Sequence, residues 1–488
     1  MDWQEEYKRR LVSPEDAVEV VKSGDVVYIP LVGQPKELLA ALAARRDDLQ
    51  GVTIVTTAPE SDPGWWQPGW EESFQMTVFG FAGPLARPCL DQRRADFSCG
   101  CISTEMKAAT ERGMAPNVML ARVTPPNNHG FVCFGADAWG KKSTAKRAKK
   151  VIASVDETVI RTFGDNWIHV SEIDRFVEHH PILLSEEQVM QIISCQEPES
   201  RREKLWYIVK NMPAEFLPEV LPLLIAIDDA GLDFVPKVFG IAPPDKPSRA
   251  IAYYLETLIR DGDTIQVGVA TPSGWMPQLG VFDNKHDLGY HSEMAARGIA
   301  RLVDGGVITG KHKTIHNGVA VAGAWTGCDP DEMQIINDNP NFEIQDSEYV
   351  INISTISKHN KMVAINNAVS VDLTGQINSE TVFGGRIING PGGQPESHIG
   401  AVLSKGGRGI TLLRSTALNG AVSTITAQHE AGSIITVPRY FADYVITEYG
   451  IASLMGKTQR QRADELISVA HPSFRAELKQ EAQKLFYP

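Results

Sequence analysis

The feature that most constrains the fold is an internal repeat. Residues 23–42 read SGDVVYIPLVGQPKELLAAL and residues 261–280 read DGDTIQVGVATPSGWMPQLG. Each copy starts with Gly-Asp, continues as a short β-branched strand, enters a loop with Gly and Pro, and is expected to leave as a helix. A solenoid would repeat every 20–50 residues or so, which is far shorter than the separation between the two copies, at residues 23 and 261. We therefore interpret the repeat as a duplicated α/β unit, with chance recurrence of strand–loop–helix as the alternative.

Other segments extend this α/β pattern. Near-continuous apolar runs, which are typical of parallel strands covered on both faces, predict strands at 52–58, 117–123, 150–155, 362–371 and 409–413. Helical patterns alternate with them, as in PKELLAALAARRDDL (35–49) and HSEMAARGIARLVDGG (291–306). The alternation predicts two similar open α/β domains with mainly parallel sheets.

The texture of the chain changes between the two copies. A charged helical stretch and the Pro-punctuated PAEFLPEVLPLLIAIDDAG lie within residues 185–240. We therefore predict an N-terminal domain over 1–184, a helical connector over 185–240 and a C-terminal domain over 241–488. The stretch 462–486 is expected to form helices separated at His471-Pro472, because a residue that precedes proline is disfavoured in the helical conformation.

Composition excludes several classes of protein. The formal net charge is −13, from 60 acidic and 47 basic residues, which argues against a nucleic-acid-binding surface. No apolar run approaches the roughly 20 residues of a membrane span. The charged N-terminus lacks the apolar segment of a signal peptide, and six cysteines do not suggest a disulfide framework. We expect a cytoplasmic protein, and ligand spacing indicates no metal site.

Two glycine-containing segments are candidates for ligand binding. In VGVATPSG (267–274), Gly268 would let the backbone approach a ligand and offer amides to an oxyanion; a tight turn is the alternative. In GGRIINGPGGQPESHIGA (384–401), backbone amides could line a pocket for pyrophosphate or thioester oxygens; a surface hairpin is the alternative. Neither segment is a phosphate-binding loop of the GxxxxGK[ST] type.

The stretch GYHSEMA (289–295) permits two interpretations. As plain structure, Ser292 is a good helix N-cap and Glu293 a favourable anion in the first turn. As chemistry, Glu293 is a nucleophile toward an acyl group, and thioesters such as acyl-CoA are its natural donors. Amides of the loops at Gly268 and at Gly392-Gly393 would then stabilise the oxyanion.

These segments resemble the acetyl-CoA hydrolase/transferase family and, within it, the 4-hydroxybutyrate CoA-transferase branch of class I CoA-transferases. The resemblance spans both halves in order. It rests on TPPNNHGF (124–131), RTFGDNWIHVSEIDRFVE (161–178), LGYHSEMAARG (288–298), GGVITGKHKTIHNG (305–318), VDLTGQINSE (371–380), GPGGQ (390–394), SKGG (404–407), VITEYGIASLMGKTQRQRA (445–463) and AHPSFRAEL (470–478).

The resemblance implies two similar α/β domains with the active site in the cleft between them. It implies that Glu293 is the nucleophile, with Ser292 as its helix cap. It also implies contacts to coenzyme A from the following residues: Gly268, Val269, Ala270, Thr271, Pro272, Val369, Asn389, Gly392, Gly393 and Lys405. CoA would be a substrate rather than a bound cofactor, the second partner a small carboxylic acid such as acetate, and the protein a homodimer.

Two features depart from the family pattern. After GGQ the family usually has an apolar residue, Asp and Phe, then an arginine, whereas this chain has Pro395-Glu396-Ser397-His398-Ile399. We expect this loop beside the acyl site. The segment PGWWQPGWEESF (63–74) holds three tryptophans, which either line a pocket for a larger acyl group or pack locally.

Three functions remain open at this point. The first is a CoA-transferase that works by a ping-pong route through Glu293. The second is an acyl-CoA hydrolase that uses the same glutamate, since the difference is how well the cleft excludes water. The third is a non-catalytic protein that binds CoA.

Overall fold

The computed structural model describes residues 2–180, 184–212, 217–238 and 241–488. Strands of the first half are β1 (Val26–Ile29), β2 (Val52–Thr56), β3 (Phe74–Phe79), β4 (Ala95–Ser98), β5 (Val118–Val123), β6 (Phe131–Cys133), β7 (Lys150–Val155), β8 (Phe163–Gly164), β9 (Trp167–His169) and β10 (Arg175–Glu178). Strands of the second half are β11 (Thr264–Val267), β12 (Gly289–Met294), β13 (Ala320–Ala324), β14 (Phe342–Ile344), β15 (Met362–Asn367), β16 (Ser370–Asp372), β17 (Ile377–Asn378), β18 (Thr381–Val382), β19 (Arg386–Ile387), β20 (Arg408–Leu412), β21 (Thr416–Ala417), β22 (Val422–Ser423), β23 (Ile425–Thr426), β24 (Tyr444–Thr447) and β25 (Gly450–Ser453).

Helices lie between the strands and in the region that joins the two halves. They are α1 (Trp3–Arg10), α2 (Pro14–Val18), α3 (Lys36–Ala44), α4 (Gly83–Asp91), α5 (Glu105–Glu111), α6 (Lys141–Ala145), α7 (Glu186–Ser194), α8 (Glu199–Lys210), α9 (Leu217–Ala226), α10 (Asp229–Val238), α11 (Lys246–Glu256), α12 (Ile299–Asp304), α13 (Pro330–Ile336), α14 (Ser347–Val350), α15 (Ile353–Ile356), α16 (Gln394–Leu403), α17 (Gln459–Val469) and α18 (Arg475–Phe486). None of the described helices is long and apolar enough to span a bilayer.

Two large sheets share one topology. The first sheet has the order β10-β7-β5-β1-β2-β3-β4, and all of its neighbouring strands are parallel. The second sheet has the order β25-β24-β20-β15-β11-β12-β13-β14-β8, in which only the β24–β25 pair is antiparallel among the described strands. Without its edge strands β25 and β8, the second sheet repeats the first strand for strand. The predicted duplication and parallel α/β fold are therefore confirmed.

One strand of the first half joins the sheet of the second half. Strand β8 comes from the first half but pairs in parallel with β14 at the edge of the second sheet. At this contact Gly164 has φ +106°, and a Cβ on it would lie 2.1 Å from the Ile344 carbonyl oxygen. Only glycine permits this approach.

An apolar cluster fills the space between the halves. It combines side chains of both: Leu31, Phe79, Ile102 and Trp139 from the first half, and Val321, Ala324, Val350, Ile351, Ile356, Met362, Ala364 and Ala401 from the second. Burial of this surface from water stabilises one relative placement of the two sheets. It therefore fixes the cleft between them.

The region between the halves is helical, as predicted, over its described residues. Helices α7, α8, α9 and α10 enclose a small core of their own. The break before α18 also agrees with prediction, since α17 ends at Val469 and a short 3-10 helix at Pro472–Phe474 precedes α18. The domain boundaries at 184 and 240 stay a prediction.

Three secondary-structure predictions need correction. The predicted helix over 291–306 is wrong at its start, because residues 289–294 form β12 between β11 and β13, and α12 begins only at Ile299. The second repeat leaves its loop through a 3-10 helix, Ser273–Trp275, rather than an α-helix. The predicted strand 362–371 is interrupted between β15 and β16.

The tryptophan segment packs locally. Trp65 and Trp66 are each 3% exposed and belong to the core on one face of the first sheet. Trp70 packs on Phe74, with ring centroids 6.1 Å apart, and Arg46 lies over its ring at 4.5 Å. Of the two interpretations, the structure supports packing rather than a pocket for an acyl group.

Candidate active site

Glu293 lies near the carboxyl end of β12, in the interior of the second sheet. Because side chains alternate along a strand, Glu293 shares a face with His291, which is buried and bonds the Val350 carbonyl through Nε2 at 2.6 Å. The predicted helix-cap role of Ser292 is wrong. Its hydroxyl donates to the Met294 carbonyl at 3.0 Å, within the strand.

The half-buried Glu293 carboxylate meets the glycine segment directly. Its Oε2 accepts a hydrogen bond from the Gly393 amide at 2.8 Å. A Cβ on Gly393 would lie 2.5 Å from this oxygen, so no larger residue fits without moving the carboxylate. Gly392, with φ +56°, passes close to the ring of Phe81 from the first half, since a Cβ on it would lie 2.9 Å from Cζ of that ring. The two glycines thus place a backbone amide and the Phe81 ring of the first half next to the Glu293 carboxylate.

The surroundings of Glu293 disfavour its charged form. Burial raises the pKa of Glu293 to about 8; the Gly393 hydrogen bond lowers it, and the nearby Glu396 raises it. Oε1 is buried and has no hydrogen-bond partner among the described residues. No Lys, Arg or His forms an ion pair with Glu293 in the described part of the chain. A carboxylate of this kind is a stronger base and nucleophile once it ionises.

Glu396 is a second carboxyl group in this cleft. The segment after GGQ is not the expected loop, because Gln394–Leu403 form helix α16 and Glu396 lies in its first turn. The side chain is buried, 2% exposed, and Oε2 accepts from the Ser103 amide of the first half at 3.4 Å. Burial raises the pKa of Glu396 to about 7.

The segment 268–272 follows β11 where the strand order of the second sheet reverses, between β11 and β15. Ligands of open α/β sheets bind at such a position, outside the carboxyl ends of the strands. Val269, Ala270 and Thr271 are exposed there, and Pro272 is buried. The geometry therefore presents this segment to a ligand in the cleft.

One detail of the oxyanion prediction fails. The Gly268 amide donates to the Ile365 carbonyl at 2.8 Å as a continuation of the sheet, so it is not free to bind an oxyanion. A Cβ on Gly268 would lie 2.9 Å from Oδ1 of Asn366, so a larger residue here must shift that side chain.

Asn367, which the sequence did not single out, holds the segment in place. Its Nδ2 donates to the Ala270 carbonyl at 2.7 Å, and its Oδ1 accepts from the Ser273 amide at 2.9 Å. Phe81 was also missed as part of the cleft. Glu396 was not, because it belongs to the run Pro395-Glu396-Ser397-His398-Ile399 that was expected beside the acyl site.

The remaining predicted CoA contacts divide between the two edges of the sheet. Val369 follows β15 at the cleft edge, half-buried, and its amide donates to the Asn378 carbonyl at 2.8 Å. Asn389 joins the halves, because its Oδ1 accepts from the Ala82 amide at 2.9 Å.

Lys405 lies elsewhere. It is exposed, and its carbonyl accepts from the amide of Lys361, just before β15 begins. Asn367 is at the other end of that strand, roughly 20 Å away at about 3.3 Å per residue. The structure does not bring Lys405 to Glu293.

Comparison with known proteins finds relatives over the whole chain. Models of the acetyl-CoA hydrolase/transferase N-terminal and C-terminal domains match residues 1–185 and 330–482. A 4-hydroxybutyrate coenzyme A transferase of Clostridium kluyveri is 35% identical over the full length of both chains. A succinyl-CoA:cyclohexane-1-carboxylate CoA transferase of Geobacter metallireducens is 29% identical over 99% of this chain and 97% of its own.

Solved structures show the same architecture. The 4-hydroxybutyrate CoA-transferase of Porphyromonas gingivalis superposes with a TM-score of 0.69 at 27% identity, covering 99% of this chain and 100% of its own. RipA of Yersinia pestis gives a TM-score of 0.80 at 24% identity and 99% coverage of both chains, a likeness of fold. This protein belongs to the acetyl-CoA hydrolase/transferase family.

Proposed function

We propose that Glu293 is the nucleophile through which this CoA-transferase moves coenzyme A between an acyl-CoA and a free carboxylic acid. The observation that supports the proposal is the contact of the half-buried Glu293 carboxylate with the Gly393 amide, in a cleft that both domains line. One oxygen of this carboxylate is held by an amide, and the other has no hydrogen-bond partner among the described residues.

The first half-reaction begins with attack by a Glu293 oxygen on the thioester carbonyl carbon. The C–S bond breaks, CoA thiolate leaves, and a mixed anhydride of Glu293 and the acyl group remains. The thiolate then attacks the glutamyl carbonyl carbon and expels the first carboxylate. Glu293 is left as a glutamyl-CoA thioester.

The second half-reaction reverses these steps with another acid. Its carboxylate attacks the glutamyl carbonyl, CoA thiolate leaves again, and the thiolate takes the new acyl group from the anhydride. The free Glu293 carboxylate is restored. Atoms and charges balance without a further co-reactant.

Hydrogen-bond donors are needed wherever oxyanions form. The Gly393 amide already donates to Glu293 Oε2 and would keep that contact as charge moves onto the glutamyl oxygen. Since the Gly268 amide is engaged, the amides of Val269 to Thr271 are the candidates on the other side. We propose CoA contacts for 268–272, Val369, Asn389, Gly392 and Gly393.

Further proposals rest on the resemblance and on the names of the relatives. Acetate is proposed as one acid partner, and CoA enters as a substrate. A homodimer, a cytoplasmic location and the three-part division of the chain at 184 and 240 also remain proposals.

The decisive experiment follows label from an acid into CoA thioesters. Several acyl-CoAs are mixed with labelled acetate, and labelled acetyl-CoA and free CoA are measured by mass spectrometry. We expect label transfer with little free CoA, and a CoA adduct on the Glu293 peptide. If free CoA accumulates without label transfer, the assay is repeated with other labelled acids. Free CoA without transfer from any of these acids would indicate a hydrolase.

The nucleophile is tested with Glu293→Gln, which keeps the shape but cannot attack as a carboxylate. Glu343→Gln is the matched control. Glu343 lies on β14, outside the cleft, and pairs with His316. We expect loss of transfer and of the adduct only in the first variant. Full turnover by Glu293→Gln would refute the assignment.

A further inference from the structure

Asn367 is the last residue of β15, at the carboxyl edge of the second sheet, and it is hydrogen-bonded to two separate parts of the cleft. Its side chain holds the segment 268–272 and Ser273 directly after it. Nδ2 donates to the Ala270 carbonyl at 2.7 Å and to Oγ of Ser273 at 2.8 Å, and Oδ1 accepts from the Ser273 amide at 2.9 Å. Both polar atoms of the side chain are therefore used to fix this segment.

The main-chain carbonyl of Asn367 holds the other part of the cleft. It accepts from Nε2 of Gln394 at 2.8 Å and from Oγ of Ser379 at 3.0 Å. A carbonyl oxygen has two lone pairs, so these two donors fill its capacity. Gln394 is buried, and it directly follows Gly393, whose amide holds Oε2 of Glu293 at 2.8 Å. One buried glutamine thus links Asn367 to the contact that places the Glu293 carboxylate.

The two parts of the cleft have different tasks in the proposed transfer. The segment 268–272 is proposed to bind CoA, and Gly393 places the carboxylate that attacks the thioester. Attack requires the reacting atoms to approach to about 3–3.5 Å in the right direction. The first part is a loop and the second is the start of α16, so neither is fixed by a sheet ladder. Attachment of both to one residue fixes their separation before the substrate binds.

We propose that Asn367 is a positioning residue that keeps the CoA-binding segment and Glu293 in register for attack. The inference rests on the function proposed for Glu293. Asn367 forms no hydrogen bond with the Glu293 carboxylate in the described structure, and it acts through Ser273 and Gln394. Loss of either link should slow attack on acyl-CoA that is already bound, whereas a residue that only binds CoA would change the affinity alone.

The test measures how fast the glutamyl-CoA adduct forms in a single turnover at saturating acyl-CoA, by mass spectrometry of the quenched enzyme. Asn367→Ala removes the side-chain contacts to the segment. Gln394→Met removes the donor to the Asn367 carbonyl at similar volume. We expect each variant to slow adduct formation at saturation at least about tenfold, toward the roughly 100-fold effect of a misplacement near 1 Å. A rate within twofold of wild type in either variant would overturn the inference.

A double variant, Asn367→Ala with Gln394→Met, shows whether the two links maintain one arrangement. If they do, the double variant should be slower than the slower single variant by less than about threefold, because the register is already lost. Effects that multiply would show that the two links act separately, and this result would contradict the proposal.

Asn339 provides a matched control, because its side chain makes the same kind of contacts away from the cleft. Its Nδ2 donates to the Ile335 carbonyl at 2.9 Å, and its Oδ1 accepts from the Asn341 amide at 3.0 Å, just before β14 begins. Asn339→Ala should form the adduct as fast as wild type. An equally slow adduct in Asn339→Ala would reduce the effect to a loss of stability and refute the positioning role. Failure of the function proposed for Glu293 is seen separately, as a wild-type enzyme that transfers CoA without any adduct.

Discussion

The amide nitrogen of Gly393 lies 2.8 Å from Oε2 of Glu293, and this single contact links the glycine segment to β12. A methyl group on Gly393 would lie 2.5 Å from the oxygen and 2.9 Å from the carboxyl carbon. Gly393→Ala must therefore displace the carboxylate. We expect kcat to fall about 100-fold, the effect of a misplacement near 1 Å.

Steady-state transfer assays check this prediction, and circular dichroism checks that the variant folds. Gly305→Ala is the matched control, because Gly305 ends α12 with φ −76° and lies outside the cleft. A kcat for Gly393→Ala within twofold of wild type would show that the glycine has no part in placing Glu293.

Burial of Glu293 has a cost to stability that depends on pH. Its pKa is raised from 4.5 to about 8, so the folded protein favours the protonated form. The protonated form of Glu293 therefore stabilises the folded protein. This stabilisation is complete below pH 4.5 and is lost as pH rises through 8. Glu293→Gln imitates the protonated form at all pH values. We expect it to be more stable than wild type at pH 8, by on the order of 4 kcal/mol, and nearly equal at pH 4.5.

Thermal unfolding of both proteins at pH 4.5, 6 and 8 measures the difference. Glu343→Gln should show the opposite sign, since the pKa of Glu343 is lowered by its hydrogen bond to His316. A constant difference between Glu293→Gln and wild type at every pH would contradict the raised pKa.

Substitutions of the predicted CoA contacts should affect the KM for acyl-CoA differently at the two edges of the second sheet. Ala270 is exposed in the segment after β11, so Ala270→Asp places a carboxylate where the CoA phosphates would approach. We expect KM for acyl-CoA to rise at least tenfold, from charge repulsion. Lys405→Ala should change this KM by less than twofold, because Lys405 lies at the opposite edge of the sheet. The reverse ranking would favour the resemblance over the geometry.

The tryptophan segment is predicted to stabilise the fold without selecting the acid. Trp65 is 3% exposed in the core of the first half, so Trp65→Ala should cost about 3–5 kcal/mol of stability. Trp70→Ala is the control, because Trp70 is only half-buried and should cost less. The ratio of kcat/KM values among acids should not change in either variant. A changed ratio would reopen the pocket interpretation.

Much of the fold is predictable because it depends on local pattern. The apolar strands β2, β5, β7 and β20 are continuous runs, and the Gly-Asp repeat marks β1 and β11. These signals are strong since parallel strands are buried on both faces. The order of the strands in each sheet was not predicted. The repeat indicates that the two halves are alike, and only the structure shows which strands are neighbours.

The error at β12 has a physical cause. His291, Ser292 and Glu293 suit a helix start, because Ser is a good N-cap and Glu a good first-turn residue. Those preferences amount to about 1 kcal/mol, and pairing with β11 and β13 in the sheet interior outweighs them. Local sequence does not report which strands lie on either side.

The site was predictable in part for a related reason. Glu293 and Gly393 were found through motifs, which preserve residue identity. Asn367 and Phe81 contact segments far apart in sequence, which motif spacing does not reveal. Lys405 was placed by analogy alone, and its distance from the cleft depends on the direction in which the chain enters β20.

A last prediction concerns the bond that ties the glycine segment to the first half. Oδ1 of Asn389 accepts from the Ala82 amide at 2.9 Å, and Asn389→Ala would leave that amide without its partner. Because Gly392 and Gly393 follow within four residues, the loss should loosen the contact with Glu293. We expect kcat to fall about tenfold. KM for acyl-CoA should rise by a smaller factor, since Asn389 is also a proposed CoA contact. Asn211→Ala, at the end of α8, should leave both values unchanged. If Asn389→Ala raised KM and spared kcat, Asn389 would act by binding CoA alone, without placing Glu293.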